Sequence, residues 1–277
     1  MKKETYLIAD ILFDISCQKD FIFPTRREFI LKQDDSIPPS RTSLSFRISS
    51  LIRDMQTSPG SQFIKYRKTP EGSTIYLFDS KGRAAHKINT ANNWKTIDVL
   101  SAMRQKLPFG GSAGEVIFRN LILFHSGFVI HASAIDYKGA GVIFSGPSGS
   151  GKSTHAGMWK KQGAVVLNGD RPAVRKTGDS VYVYGTPWSG TSGEYASRKA
   201  PLRCIVMIER EGRTSLRRLG SEEALRLMIP RCYISYFSRD LISRALDNLG
   251  KVIETVPVYH LAGGADEGSM ELVKGCL

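Results

Sequence analysis

Residues 146–154 read GPSGSGKST, and no other stretch constrains the fold as tightly. Gly146, Gly151, Lys152 and Ser153 satisfy G-x-x-x-x-G-K-[ST], the pattern of a phosphate-binding (Walker A) loop. The glycines let the backbone curl so that successive N–H groups point inward at phosphate oxygens. Lys152 places a compact charge on the β- and γ-phosphates, and the Ser153 hydroxyl can ligate Mg2+. Such a loop needs a strand before it and a helix after it. The apolar run AGVIFSG (140–146) leads in, and KSTHAGMWKKQG (152–163) can form a helix whose N-terminal dipole favours the same anion. Gly146, Pro147, Ser148, Gly149, Ser150, Gly151, Lys152, Ser153 and Thr154 are therefore the candidate nucleotide-binding residues, for ATP or GTP.

The loop alone names no reaction, because it serves kinases, motors, transport ATPases and switches. The spacing to the next acid narrows the choice. VVLNGD ends an apolar strand in Asp170, only 18 residues after Lys152. In phosphoryl transfer an acid at such a strand end holds Mg2+ or accepts the proton of the acceptor. A plainer reading makes Asp170 a turn or helix-cap residue.

Around this segment the pattern is mixed α/β. The first hundred residues are strand-rich: TYLIADILFDI (5–15), SLSFRIS (43–49), QFIKYRK (62–68) and STIYLFD (73–79) carry β-branched and aromatic residues. Turn clusters at 36–40, 57–61 and 69–73 separate them, and KTPEGST reads as a hairpin connection. The Gly-rich LPFGGSAGE (107–115) suggests a boundary, with a strand-rich domain over 1–110 and a nucleotide-binding domain over 111–277. Beyond it the pattern predicts a helix within 114–126 and strands at 128–136 and 140–146 joined by the turn YKGA. Further on come a strand at 165–168, a hairpin over 173–185, a Gly-rich loop at 185–193 and a strand at 203–209. Helices at 221–229 and 239–249, a strand at 252–261 and a short terminal helix complete the chain.

Charge and cysteine content bound the class. There are 39 Lys and Arg against 26 Asp and Glu, a formal net charge of +13, and residues 201–250 hold nine Arg and no Lys. Arg suits bidentate contacts to phosphate or carboxylate, whereas a solvated basic face is the plain alternative. No Lys/Arg run of the kind found in nucleic-acid arms is present, and no helicase-like motif series follows the loop, so a nucleic-acid ATPase is disfavoured. Cys17, Cys204, Cys232 and Cys276 are far apart, with no zinc spacing, as expected of reduced thiols. No apolar stretch reaches the roughly 18 residues of a membrane helix. A cytoplasmic protein without membrane contact is the expectation.

The run IHASAIDYKGAGVIFSGPSGSGKSTHAGMWKKQGAVVLNGDRPAV resembles the HPr kinase/phosphorylase family, and more closely its shorter kinase-like relatives. GTPWSG (185–190) and the strand ending in Glu209 resemble the continuation of the same core. These relatives include kinases that phosphorylate a serine on a ribosomally made peptide precursor, as in some lasso-peptide pathways. The resemblance spans roughly residues 114–260 and implies a phosphoenolpyruvate-carboxykinase-like nucleotide-binding fold with a mixed sheet. It implies ATP and Mg2+ as cofactors, with Lys152 and Ser153 taking the triphosphate and metal. Asp170 would act as general base and metal ligand, and His131 as the histidine beside that acid. HPr kinases are oligomeric, so a homo-oligomer is implied too.

Two departures stand out. Gly169 occupies the position of a second family acid, so one carboxylate covers both base and metal roles or one role comes from elsewhere. Thr154 stands where a Glu commonly follows Lys-Ser, which weakens reverse phosphorolysis more than forward transfer. Arg171, Arg198 and Lys199 flank the loops expected near the phosphates; Arg198, after GTSGEYAS, ranks first for neutralising transition-state charge. Trp188 could stack on adenine but suits packing better, and His155 reads as a packing or surface residue. The leading expectation is an ATP-dependent serine kinase acting on a peptide or small protein. The alternative is a non-catalytic nucleotide sensor. Residues 1–112 carry 18 basic against 11 acidic side chains, which would suit an acidic acceptor.

Overall fold

The computed structural model describes residues 2–17, 27–31, 41–48, 52, 63–102, 109 and 111–277. The expected turns at 36–40 and 57–61 lie outside them. Two compact units emerge, Met1–Leu121 and Ile122–Leu277. Both contain a mixed sheet.

In the first unit the strands are β1 (Lys2–Ile8), β2 (Ile11–Cys17), β3 (Arg41–Ile48), β4 (Ile64–Lys68), β5 (Gly72–Phe78), β6 (Ala84–Ala91) and β7 (Thr96–Ser101), followed by helix α1 (Ser112–Leu121). The sheet order is β1-β2-β3-β7-β6-β5-β4, with β2, β3 and β7 parallel and the rest antiparallel. Segment 5–15 is thus two strands, folded back at Ala9 and Asp10, both at positive φ (51° and 56°). The 69–73 hairpin forms as expected between β4 and β5. Strands β6 and β7 were not evident from sequence: the inward set of β6 includes His86 and Thr90, which blurs its apolar alternation.

Phe109 shows why the division falls after α1, not at residue 110. It is buried and packs against the rings of Tyr6, Phe13 and Phe46 at 6.0, 5.4 and 6.4 Å, while Phe118 of α1 meets Phe13 at 6.1 Å. A Cβ on Gly114 would overlap the Phe109 carbonyl, so the glycine there is a close-packing residue of the helix and not a hinge.

The second unit runs β8 (Gly127–Val129), β9 (Ala132–Tyr137), β10 (Ala140–Ser145), α2 (Lys152–Lys161), β11 (Val165–Asn168), β12 (Ala173–Thr177), β13 (Ser180–Tyr184), β14 (Lys199–Glu209), β15 (Ser215–Arg218), α3 (Ser221–Met228), α4 (Arg239–Thr255), β16 (Val258–Ala262) and α5 (Glu267–Lys274). Strands β10, β14 and β16 are parallel neighbours, and β9 lies antiparallel between β10 and β11. The first residues of β14 instead pair antiparallel with β13, which carries β12 and β8 outward. One face of the sheet is covered by α2 and α5 through Phe144, Trp159, Val206, Met270 and Val273.

Two expectations change here. Segment 128–136 is not one strand: β8 and β9 belong to different parts of the sheet, separated at Ile130 and His131. Residues 252–255, read as strand from their β-branched side chains, extend α4, because Leu241, Ala245, Asn248, Leu249 and Val252 keep one buried helical face. All four cysteines are free thiols. Among the described residues no helix is long and apolar enough to cross a membrane.

Candidate functional site

Strand β10, the glycine-rich loop and α2 follow one another as strand, loop and helix. Gly149 and Gly151 take the positive φ values, 78° and 98°, that the curled path requires. A Cβ on Gly146 would press on the Ile208 carbonyl and on Ser150, so the loop is seated against the end of β14. Gly151 is the N-cap of α2 and offers no side-chain cap, which leaves the helix's first N–H groups to be satisfied from outside the helix. Pro147, Ser148, Gly149, Ser153 and Thr154 are exposed, while Ser150 is buried with its hydroxyl unpartnered among the described residues. Lys152 curls over the loop and donates to the carbonyls of Gly146 (3.1 Å) and Pro147 (2.9 Å).

Asp170 enters from the end of β11. Its backbone is fixed from both sides: its carbonyl accepts from Ala132 N (3.1 Å), and its N–H is held by the buried Asn168 side chain. The carboxylate lies 3.4 Å from His131 Nε2 and 3.4 Å from Arg171 Nε. Arg171 in turn meets the Tyr233 hydroxyl at 3.1 Å and lies over its ring. His131 owes its place to the break between β8 and β9, where its N–H donates to the Arg231 carbonyl (2.7 Å) beside the Ile130–Cys232 bridge.

The electrostatics show one connected cluster. The His131 pKa is lowered below its ordinary value by burial first and then by the charge of Lys152, with Asp170 opposing. Burial, then Arg231, lowers that of Lys152, again against Asp170. The charges of Lys152, Asp170, Arg231 and Arg171 thus converge on His131, and those of Arg231 and Asp170 on Lys152. Beside the loop a cavity of about 420 Å³ opens between Gly146–Ser150, the Met207–Glu211 end of β14, and Leu227, Arg231 and His260.

The residues expected at the site divide clearly. His131, Lys152 and Asp170 are brought together. Arg198 is not: it pairs with Asp136 at 3.3 Å, near the turn between β9 and β10 and at the opposite end of β9 from His131. The reason is the register of the chain entering β14, where Gly185 N donates to the Arg198 carbonyl and Lys199 pairs with Tyr184. Lys199 stands over the rings of Tyr182 and Tyr184. Arg231, which sequence reasoning did not single out, supplies the cation beside the loop. Trp188 is buried, as packing requires, and His155 is buried and stacked on Phe144 at 5.2 Å.

Gly169 has a local cause. A Cβ there would collide with Ser192, whose loop crosses over it and is tied by Gly169 N to the Glu194 carbonyl (3.0 Å). The Gly169 position is thus closed by this chain's own 189–194 loop.

No protein family model matches the chain, and no curated protein matches it. Among solved structures there is a distant likeness to the Hpr(Ser) kinase/phosphatase from Coxiella burnetii, at 10% identity and a TM-score of 0.31, covering 53% of this chain and 94% of that one.

Proposed function

We propose that the chain is an ATP-dependent kinase that moves the γ-phosphoryl group to a serine hydroxyl of a peptide or small protein. The observation that carries this reading is the convergence of Lys152, at the head of α2, and Asp170, at the end of β11, in one cluster with His131. The uncapped N-terminus of α2 and the exposed Pro147, Ser148 and Gly149 suit the phosphates of a nucleotide. Lys152 would exchange its two carbonyl contacts for phosphate oxygens.

The donor set also suits Mg2+. Ser153 and Asp170 offer one hydroxyl and one carboxylate, a pairing typical of an ion held jointly with substrate phosphates. When bound, Mg2+ would neutralise charge on the transferring group. The serine oxygen attacks the γ-phosphorus as its bond to the bridging oxygen breaks. ADP departs and the serine proton passes to the Asp170 carboxylate. His131, kept neutral by burial near Lys152, orients that carboxylate without adding a cation. Arg231 and Arg171 offset charge building on the phosphoryl group.

Incubation with γ-labelled ATP and serine peptides tests this, comparing wild type with Asp170→Ala and Lys152→Ala. Asp170→Ala is expected to keep ADP binding measured without Mg2+ and lose about 10²–10⁴-fold in transfer. Lys152→Ala is expected to lose nucleotide binding as well. Equal labelling by Asp170→Ala would remove Asp170 as the base. Tight ATP binding by wild type with neither transfer nor hydrolysis would favour a nucleotide sensor instead.

A further inference from the structure

Asn168 closes β11 and is fully buried. Its Oδ1 accepts from the N–H groups of Asp170 (2.8 Å) and Arg171 (2.7 Å). Its Nδ2 donates to the Thr186 carbonyl (2.9 Å), to Thr186 Oγ1 (3.1 Å) and to the Trp188 carbonyl (3.3 Å). Thr186 Oγ1 completes the circuit by donating to the Arg171 carbonyl at 2.8 Å. Every polar capacity of this amide is used, half on the turn that presents Asp170 and half on the loop that follows β13. That loop reaches Gly190, where a Cβ would overlap the Asp170 carboxylate.

We propose that Asn168 is a positioning residue: it ties the Asp170 turn and the 186–190 loop into one piece, leaving the Asp170 carboxylate free to face the glycine-rich loop. This rests on the kinase reading, and it explains how the Asp170 carboxylate is kept from being spent on its own turn. A short turn of the form Asn-Gly-Asp-Arg needs a side-chain acceptor for its exposed N–H groups. If Asp170 spent its carboxylate there, it could not reach substrate. Asn168 takes that task, and a neutral amide does so without adding a buried charge. Its donor half then draws in the Thr186 and Trp188 carbonyls, which an aspartate at this position would repel.

The test compares Asn168→Ala with Thr186→Val, a nearly isosteric change that spares the packing. Three quantities are read in the whole chain: the Kd for ADP without Mg2+, turnover of γ-labelled ATP into peptide or water, and amide hydrogen exchange over 168–172 and 186–190. For Asn168→Ala, turnover is expected to fall about 10–100-fold, the usual cost of removing a group that orients a functional side chain. The Kd is expected to stay within about threefold. Exchange at Asp170 and Arg171 should quicken at least about tenfold, and Thr186→Val should fall between the two in turnover. Wild-type turnover in a folded Asn168→Ala protein overturns the proposal. So does a loss of metal-free ADP binding in step with turnover, which would mark general loosening. If wild type binds MgADP yet turns nothing over, the kinase reading fails by itself. Exchange then decides the matter: protection lost from both segments upholds Asn168 as their tie, and unchanged protection refutes it.

Discussion

In the proposed kinase the Asp170 carboxylate meets both a phosphate and a hydroxyl and needs open space beside it, and two glycines govern that space. Gly190 sits at φ 56° with no room for a Cβ beside Asp170. Gly190→Ala is expected to cost about 1–2 kcal/mol from the left-handed backbone alone. It should also cut turnover beyond what the lost stability explains, read as activity at a temperature where the variant is fully folded. Gly169 is different, because its constraint is Ser192 and not its backbone. Gly169→Ala should cost about 1–3 kcal/mol by overpacking, and adding Ser192→Gly should recover most of it. Equal cost in both backgrounds, measured by denaturant unfolding, would show that the contact is not the cause. At this scale the sequence was informative where partners are close in the chain. Lys152 and the loop glycines act within a few residues of each other, so their pattern could be read directly. Arg231 comes beside His131, and Tyr233 beside Arg171, only because the segment after α3 bridges back to Ile130, a pairing that no local pattern encodes.

Elements were legible where the chain alternates or caps plainly, and misread where tertiary packing overrode propensity. The C-terminal turn of α4 is built of Val252, Ile253 and Thr255, good strand formers held helical by the buried face they extend. The strand break at Ile130 and His131 was invisible for the opposite reason: the residues on both sides suit strands. Helix α2 has a further property. Among the described residues neither ring nitrogen of its buried His155 has a hydrogen-bond partner, and burial lowers its pKa to about 4. His86 in β6 is likewise lowered to about 4 by burial. Both are neutral in the fold, so no stability is lost above the unfolded-state value near 6.5. Below it the unfolded chain takes up protons that the fold refuses, and stability falls as pH drops from about 6.5 towards 4, by on the order of 3 kcal/mol for each histidine. His155→Phe keeps the stack on Phe144 and should flatten part of this acid limb, measured as unfolding midpoints between about pH 7 and 4.5. An unchanged limb would assign the acid lability to other groups.

For the whole molecule, charge is the property with most consequence. The proposed nucleotide site does not use a net +13. We infer that the excess favours acidic acceptors. Transfer to an acidic serine peptide should then fall several-fold as salt rises from about 0.05 to 0.3 M, while MgADP affinity changes less. A neutral peptide showing the same salt response would separate the charge from acceptor choice. Strand β14 carries another consequence. Its first residues hold the antiparallel β13, and its later ones pair with β10 and β16. The glycine-rich loop is complete by residue 153, yet the strand that seats it ends at Glu209, and that strand's far neighbour at Ala262. On the ribosome, a nascent chain therefore exposes the edge of β10 until much of the C-terminal half has emerged. Translation order makes the ligand-ready form a late product of synthesis, and chaperones that shield open strand edges would have their longest opportunity in that interval.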